Sequence, residues 1–220
     1  MEMLVVASAA FLLTHFVPST PLRPKLVAAI GEGRYRGLYV LVAFATLGWM
    51  IWAYAHAPAQ GFLWTPLRHI PLAVMPFSLI LIVGGLVRMN PTAVGAERLL
   101  KEAEPAQGMI RITRHPFMWG VILWAAAHIL ANADAKSAVF FGTFLVLSGL
   151  GTVLIDARKR ALADWPKFAG LTSNLPFLAI AQGRNRIVWR EIGWLRPAIG
   201  LALYAALLLA HPWLFGVRPY

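Results

Sequence analysis

The sequence predicts an all-α fold, a polytopic membrane bundle of about six transmembrane helices with both termini outside. Three observations carry that prediction. Hydrophobic residues fill 59% of the 220 positions and charged residues only 13%, where soluble domains average roughly 45–50% and 25%. The apolar residues are gathered into runs near the roughly 20 residues that span a bilayer. The basic residues alternate between rich and poor loops.

The six runs lie at about 2–17, 37–56, 69–88, 117–133, 137–156 and 196–215. The first does not read as a signal peptide. Glu2 stands where a basic n-region belongs, and Pro18 ends the run without a small-residue cleavage site. It is kept as a helix. The first and fourth runs are short and only just long enough to span. Pro71 and Pro76 predict a kink or a late start in the third. Pro116 suits the first turn of the fourth, where its missing N–H is not needed. A single domain, 1–220, accounts for the chain.

The loops set the orientation. Between the first two runs lie Arg23, Lys25, Arg34 and Arg36, and between the third and fourth lie Arg88, Arg98, Lys101, Arg111 and Arg114. Arg158, Lys159, Arg160, Lys167, Arg184, Arg186, Arg190 and Arg196 lie between the last two. The other side carries Arg68, Lys136 and Arg218, so 17 basic residues face three. Positive loops stay in the cytoplasm, which puts both termini outside. Trp49, Trp52, Trp64, Trp119, Trp194 and Trp213 fall near run ends, where amphipathic rings favour the interface. Loop 89–114 reads as a short amphipathic helix and a turn. Loop 157–195 either lies along the membrane surface or caps the bundle.

A net charge of +11 is therefore explained by topology and anionic lipid, and nucleic acid is not an expected partner. The chain has no cysteine, which excludes disulfides, thiolate metal sites and a thiol nucleophile. Gly-rich nucleotide loops, His-Glu-x-x-His and Gly-x-Ser-x-Gly are also missing. Asp134 and Asp156 fall at run ends, so paired intramembrane carboxylates of a pump are not expected.

The histidines are the remaining candidates. His56, His69 and His211 fall at outer run ends, where an imidazole meets water; His56 and His69 flank one outer loop and form at most a weak metal pair. His15 lies in the inner half of the first helix. His115 opens the fourth, and His128 lies deep within it among apolar residues, where a polar side chain needs a partner. His115 and His128 are 13 residues apart, roughly 20 Å along a helix, so a shared metal requires His15 with one of them. His15 and His115 are level in depth. His15 with His128 requires a flat-lying ligand or a shifted first helix. Neutral imidazole on paired helices is the usual grip on haem iron. Arg114 and His115, at a helix mouth beside Arg111, read as an anion clamp or as snorkelling side chains.

Several segments, in order, carry a resemblance: His15 with Pro21-Leu22-Arg23, Ile30-Gly31-Glu32 with Arg36, Ile112-Thr113-Arg114-His115-Pro116, Trp124 to His128, and Ala210-His211-Pro212 with Phe215-Gly216. Over nearly its whole length the chain resembles the NnrU family, bacterial membrane proteins associated with nitrite and nitric oxide metabolism. It is also similar to the related 15-cis-zeta-carotene isomerases. The resemblance implies haem b with His15 and His128 as ligands; the anion clamp of Arg114 and His115 would then hold the haem propionates or support the ligands from behind. The isomerase pattern has a cysteine three residues before the second ligand; here that place is Ala125. A weaker similarity, through Arg114-His115-Pro116 and Gly120, is to isoprenylcysteine carboxyl methyltransferases, which implies S-adenosylmethionine. In that family paired glutamates follow the hairpin; here Asp156-Ala157 stand instead.

The expected protein is thus a haem-b-binding integral membrane protein of the bacterial inner membrane. It would act in or support denitrification, or use the iron as an isomerase or redox enzyme on an apolar or small-molecule substrate from the bilayer. The alternatives are a methyltransferase and a non-enzymatic assembly factor with membrane-protein partners.

Overall fold

A computed structural model describes residues 1–58, 61–87, 90–93 and 95–219. The elements follow the apolar runs. Helix α1 spans Glu2–Phe16, α2 Leu22–Ile30, α3 Glu32–His56, α4 Ile70–Val87, α5 Pro116–Asn132 and α6 Ala135–Lys159. Short helices α7 (Trp165–Leu171), α8 (Leu178–Ala181) and α9 (Trp189–Ile192) precede α10, Leu195–Phe215. No strand forms among the described residues; one isolated bridge joins Phe62 to Asp134.

Among the described residues five helices are long and apolar enough to cross a membrane: α1 with the 3-10 turn after it, α3, α4, α6 and α10. The 17-residue α5 is shorter, about 25 Å at the usual helical rise. It lies between α4 and α6, completing a bundle in which α10 packs on α4, α5 on α6, and α1 on both α3 and α6. Large apolar side chains cover the outside, among them Phe44, Leu41 and Trp213, the last 83% exposed. Such a surface needs lipid to cover it, so the chain is an integral membrane protein.

In lipid every backbone group must find an internal partner. Pro76, inside α4, deprives the Leu72 carbonyl of its helical donor. Tyr204 of α10 replaces that donor, its hydroxyl 3.1 Å from Leu72 O. Close approach depends on missing side chains. A Cβ on Gly120 of α5 would sit 2.7 Å from Ser78 O and 2.9 Å from Ile82 N of α4. The Ser78 hydroxyl instead donates to Gly120 O at 2.8 Å, a small-residue contact typical of membrane helices.

The α5–α6 hairpin turns at Ala133, in the left-handed region with φ 56°, and at Asp134, which caps α6 by accepting from Ser137 N at 2.8 Å. Leu63 N donates to Ala133 O and Leu67 N to Leu130 O, which puts the outer loop beside this turn. At the opposite end, residues 90–93, 95–115 and 157–195 fold into a cap with its own apolar centre of Leu100, Ala106, Ile110, Trp165 and Phe168. Lys159, at the end of α6 and buried, is tied to Pro91 O, Ala93 O and Glu97. The long basic loop therefore caps the bundle. Among the described residues of 89–114, two 3-10 turns, Glu97–Lys101 and Gly108–Arg111, replace the expected amphipathic helix. Pro105 and the positive φ of Gly108 interrupt a continuous helix there. Arg88, counted above among the loop's basic residues, lies outside the described residues.

Candidate functional site

His15 and His128 both border the bundle's main core, a cluster built from Leu4, Ala7 and Phe11 of α1, Met50 of α3, Ala125 of α5 and Phe141 of α6, among others. The two imidazoles share a local design. His15 Nδ1 lies 2.7 Å from Phe11 O, and His128 Nδ1 lies 2.8 Å from Trp124 O. A carbonyl only accepts, so Nδ1 carries the proton in each ring. That leaves Nε2 as the nitrogen able to offer a lone pair, the arrangement a metal-binding histidine needs.

The helices do not place these rings face to face. His15 packs on Phe11 at 4.0 Å, Phe11 on Phe144 at 5.6 Å, Phe144 on Trp124 at 5.1 Å and Trp124 on His128 at 5.6 Å. A path of three aromatic rings thus links the two imidazoles. Both fit as donors to an iron. Ala125 is fully buried in this cluster, so no sulfur is available at that place.

On the other side of His15 the aromatic column continues. Tyr39 meets it edge-on at 5.9 Å, and Tyr35 stacks on Tyr39 at 6.5 Å. Arg23 lies over the Tyr35 ring at 5.8 Å. Gly31, at φ 83°, makes the turn that folds α2 back against α3. Arg23 of α2 thereby reaches Glu32 at 3.0 Å, and Arg36 reaches the same carboxylate at 2.8 Å.

Arg114 and His115 form a second, separate centre. Asp156 of α6 binds both. Arg114 Nη1 donates to Asp156 Oδ2 at 3.0 Å, and His115 Nε2 lies 2.8 Å from Asp156 Oδ1. Arg114 Nη2 donates to Thr172 O at 2.8 Å, and its guanidinium lies over Trp165. Burial pulls the Arg114 guanidinium below the ordinary arginine value, and the Asp156 charge opposes that shift; an arginine this basic stays charged. His115 is only 3% exposed. Thr113 Oγ1 donates to Asn174 O, and Asn174 receives Trp119 Nε1. The Arg-His-Pro segment therefore latches the mouth of α5 to the inner end of α6 and to the cap.

The structure thus brings Arg114 and His115 together on one carboxylate, and it packs His15 and His128 against one aromatic cluster, with no direct ring contact between the two among the described residues. Sequence reasoning set Asp156 aside as a helix-end residue. The available signal was an acidic side chain closing an apolar run in a chain whose loops are nearly all basic. His56 and His69 join no group of three or more ligating side chains among the described residues.

Comparison with known proteins adds three findings. The model of a family described as NnrU protein matches residues 3–219. The chain is 34% identical over 114 residues to the chloroplastic 15-cis-zeta-carotene isomerase of Arabidopsis thaliana, a match covering 50% of this chain and 31% of that protein. No solved structure matches it.

Proposed function

This chain belongs to the NnrU family, and from that premise we propose that it binds haem b within the membrane and has isomerase-like activity on an apolar, lipid-borne substrate. One observation carries the reading. Two histidines on different helices of the bundle each commit Nδ1 to a backbone carbonyl, keep Nε2 for a metal, and flank the same aromatic cluster. The similarity to a protein named a carotene isomerase supports an apolar substrate and a double-bond rearrangement.

Each residue has a defined part. The Phe11 carbonyl orients His15, and the Trp124 carbonyl orients His128. Phe11, Phe144, Trp124 and Phe141 exclude water and supply flat apolar surfaces on which a macrocycle or a polyene packs. The Asp156 latch holds the inner end of α5 against α6, and so sets the register of His128. Bound there, haem would supply an iron able to act as a Lewis acid or redox centre.

The family association with nitrite and nitric oxide would set the same iron against a small polar substrate. The apolar walls favour the lipid-borne one. S-adenosylmethionine binding would need Arg114 and His115 turned toward the cofactor, whereas both are engaged by Asp156. We assign the protein to a bacterial inner membrane, with its basic cap in the cytoplasm.

The test is an absorbance spectrum of the purified chain, oxidised and dithionite-reduced, with a pyridine haemochrome assay. A stoichiometric b-type spectrum, lost in His15→Ala or His128→Ala, is expected. A colourless protein that takes up no supplied haem would overturn the reading.

A further inference from the structure

The α1–α2–α3 corner contains a polar group the fold leaves without use. Tyr35 is only 7% exposed, and its hydroxyl is buried with no hydrogen-bond partner. An unpaired buried hydroxyl costs free energy and calls for an explanation. Two guanidinium groups, Arg23 and Arg36, share the single carboxylate of Glu32 here, so the three side chains carry an excess positive charge. Tyr35 stands one helical turn toward the cytoplasm from Tyr39, and Tyr39 touches His15. An unpaired hydroxyl and surplus positive charge thus lie two ring contacts, through Tyr39, from the His15 imidazole.

We infer that this corner is the anion end of the His15 site: Tyr35 Oη and Arg23, backed by Arg36, hold the carboxylates of the amphipathic ring bound by His15. The inference rests on the haem reading above and moves the carboxylate contacts away from Arg114. The chemistry matches on both sides. A haem propionate only accepts hydrogen bonds, a phenol O–H donates one, and an arginine adds charge and further donors. Arg114 also has an unpaired nitrogen, Nε, but its charge is already matched by Asp156 and both its Nη atoms serve Asp156 and Thr172. The corner also gives Arg23, Gly31, Glu32 and Arg36 a joint purpose: the turn at Gly31 carries Arg23 over Tyr35, and Glu32 holds both arginines in place.

Two probes separate a carboxylate contact from general packing. The first is haem b. The second is its dimethyl ester, which has the same ring and iron but no free carboxylate. Each is titrated into the full-length protein in detergent and followed at the Soret band, with wild type, Tyr35→Phe, Arg23→Gln and Arg114→Gln compared. Tyr35→Phe should weaken haem binding about tenfold, as expected for one hydrogen bond to a charged group, and leave binding of the ester unchanged. The unloaded Tyr35→Phe protein should melt no lower than wild type, because the hydroxyl has no partner to lose. Arg23→Gln should also weaken haem alone. Equal losses for haem and ester would mean that Tyr35 merely packs, and would overturn the inference. So would wild-type haem affinity in both variants, or a haem-selective loss in Arg114→Gln. If wild type binds the ester but not haem, the corner repels carboxylates and the inference fails while the His15 site stands. If wild type binds neither, the haem reading itself falls.

Discussion

Asp156 lies 2.8 Å from His115 through one carboxylate oxygen and accepts from Arg114 through the other. That single aspartate ties the opening of α5 to the end of α6. Its side chain and that of Arg114 are each 11% exposed. Breaking such a pair strands a buried charge, at a cost of about 3–5 kcal/mol. Asp156→Asn should therefore lower the melting temperature in detergent sharply. A melt equal to wild type would show that the latch contributes nothing.

Tyr204 and Pro76 act as a compensating pair. Tyr204→Phe should cost about 1 kcal/mol, since interhelical hydrogen bonds in membranes are modest, by leaving Leu72 O without a donor. Pro76→Ala restores the helical N–H to that carbonyl. In the double variant the Tyr204→Phe penalty should then shrink. Additive penalties in a double-mutant cycle would refute the pairing.

Gly120→Ala should separate α4 from α5, because its Cβ would fall within 3 Å of Ser78 O and Ile82 N. Overpacking against backbone costs about 1–3 kcal/mol. Gly48→Ala is the matched control: nothing lies within 4 Å of its Cβ, and in a helix alanine is favoured over glycine. Resistance to unfolding in denaturing detergent should fall for the first and hold or rise for the second.

The cap should be acid-sensitive through Glu97. Its hydrogen bond to Lys159 holds the carboxyl below its ordinary value of 4.5. Folding thus favours the ionised form. This contribution is fully present above the ordinary value and is lost as pH falls below it, through the lowered folded-state value. Glu97→Gln should remove that part of the acid-induced loss of thermal stability and leave the melt near neutral pH somewhat lower. An unchanged slope between wild type and variant below pH 4.5 would exclude the mechanism.

Much of the fold was legible in the chain, and for identifiable reasons. The lipid solvent demands long apolar runs, and topology demands one-sided loops; both are properties of composition in sequence order. The helix found at Glu32–His56 differs from the expected run 37–56 at its first turns. There polar residues such as Glu32 and Arg36 extend a helix beyond its apolar stretch. The 3-10 turns of the cap were not foreseen, because tertiary contacts there outweigh weak local propensity.

The candidate site divides in the same way. His128 stands out because a polar group among apolar neighbours is conspicuous in sequence, and His15 enters through the resemblance and the distance from His128 to His115; the Nδ1 bond of each to the carbonyl four residues earlier is local to one helix. Asp156 did not stand out as a partner, since 41 residues separate it from His115 and nothing local marks the pairing. The orphaned Tyr35 hydroxyl was invisible for a stronger reason: tyrosine is an ordinary helix residue until packing has removed its water. By itself the sequence determined which segments are apolar enough to enter the membrane, because that follows from the transfer of each residue into lipid. Only the tertiary structure decided which side chains meet. Pairings across the bundle depend on how the helices pack, and that packing is set by many weak contacts acting together.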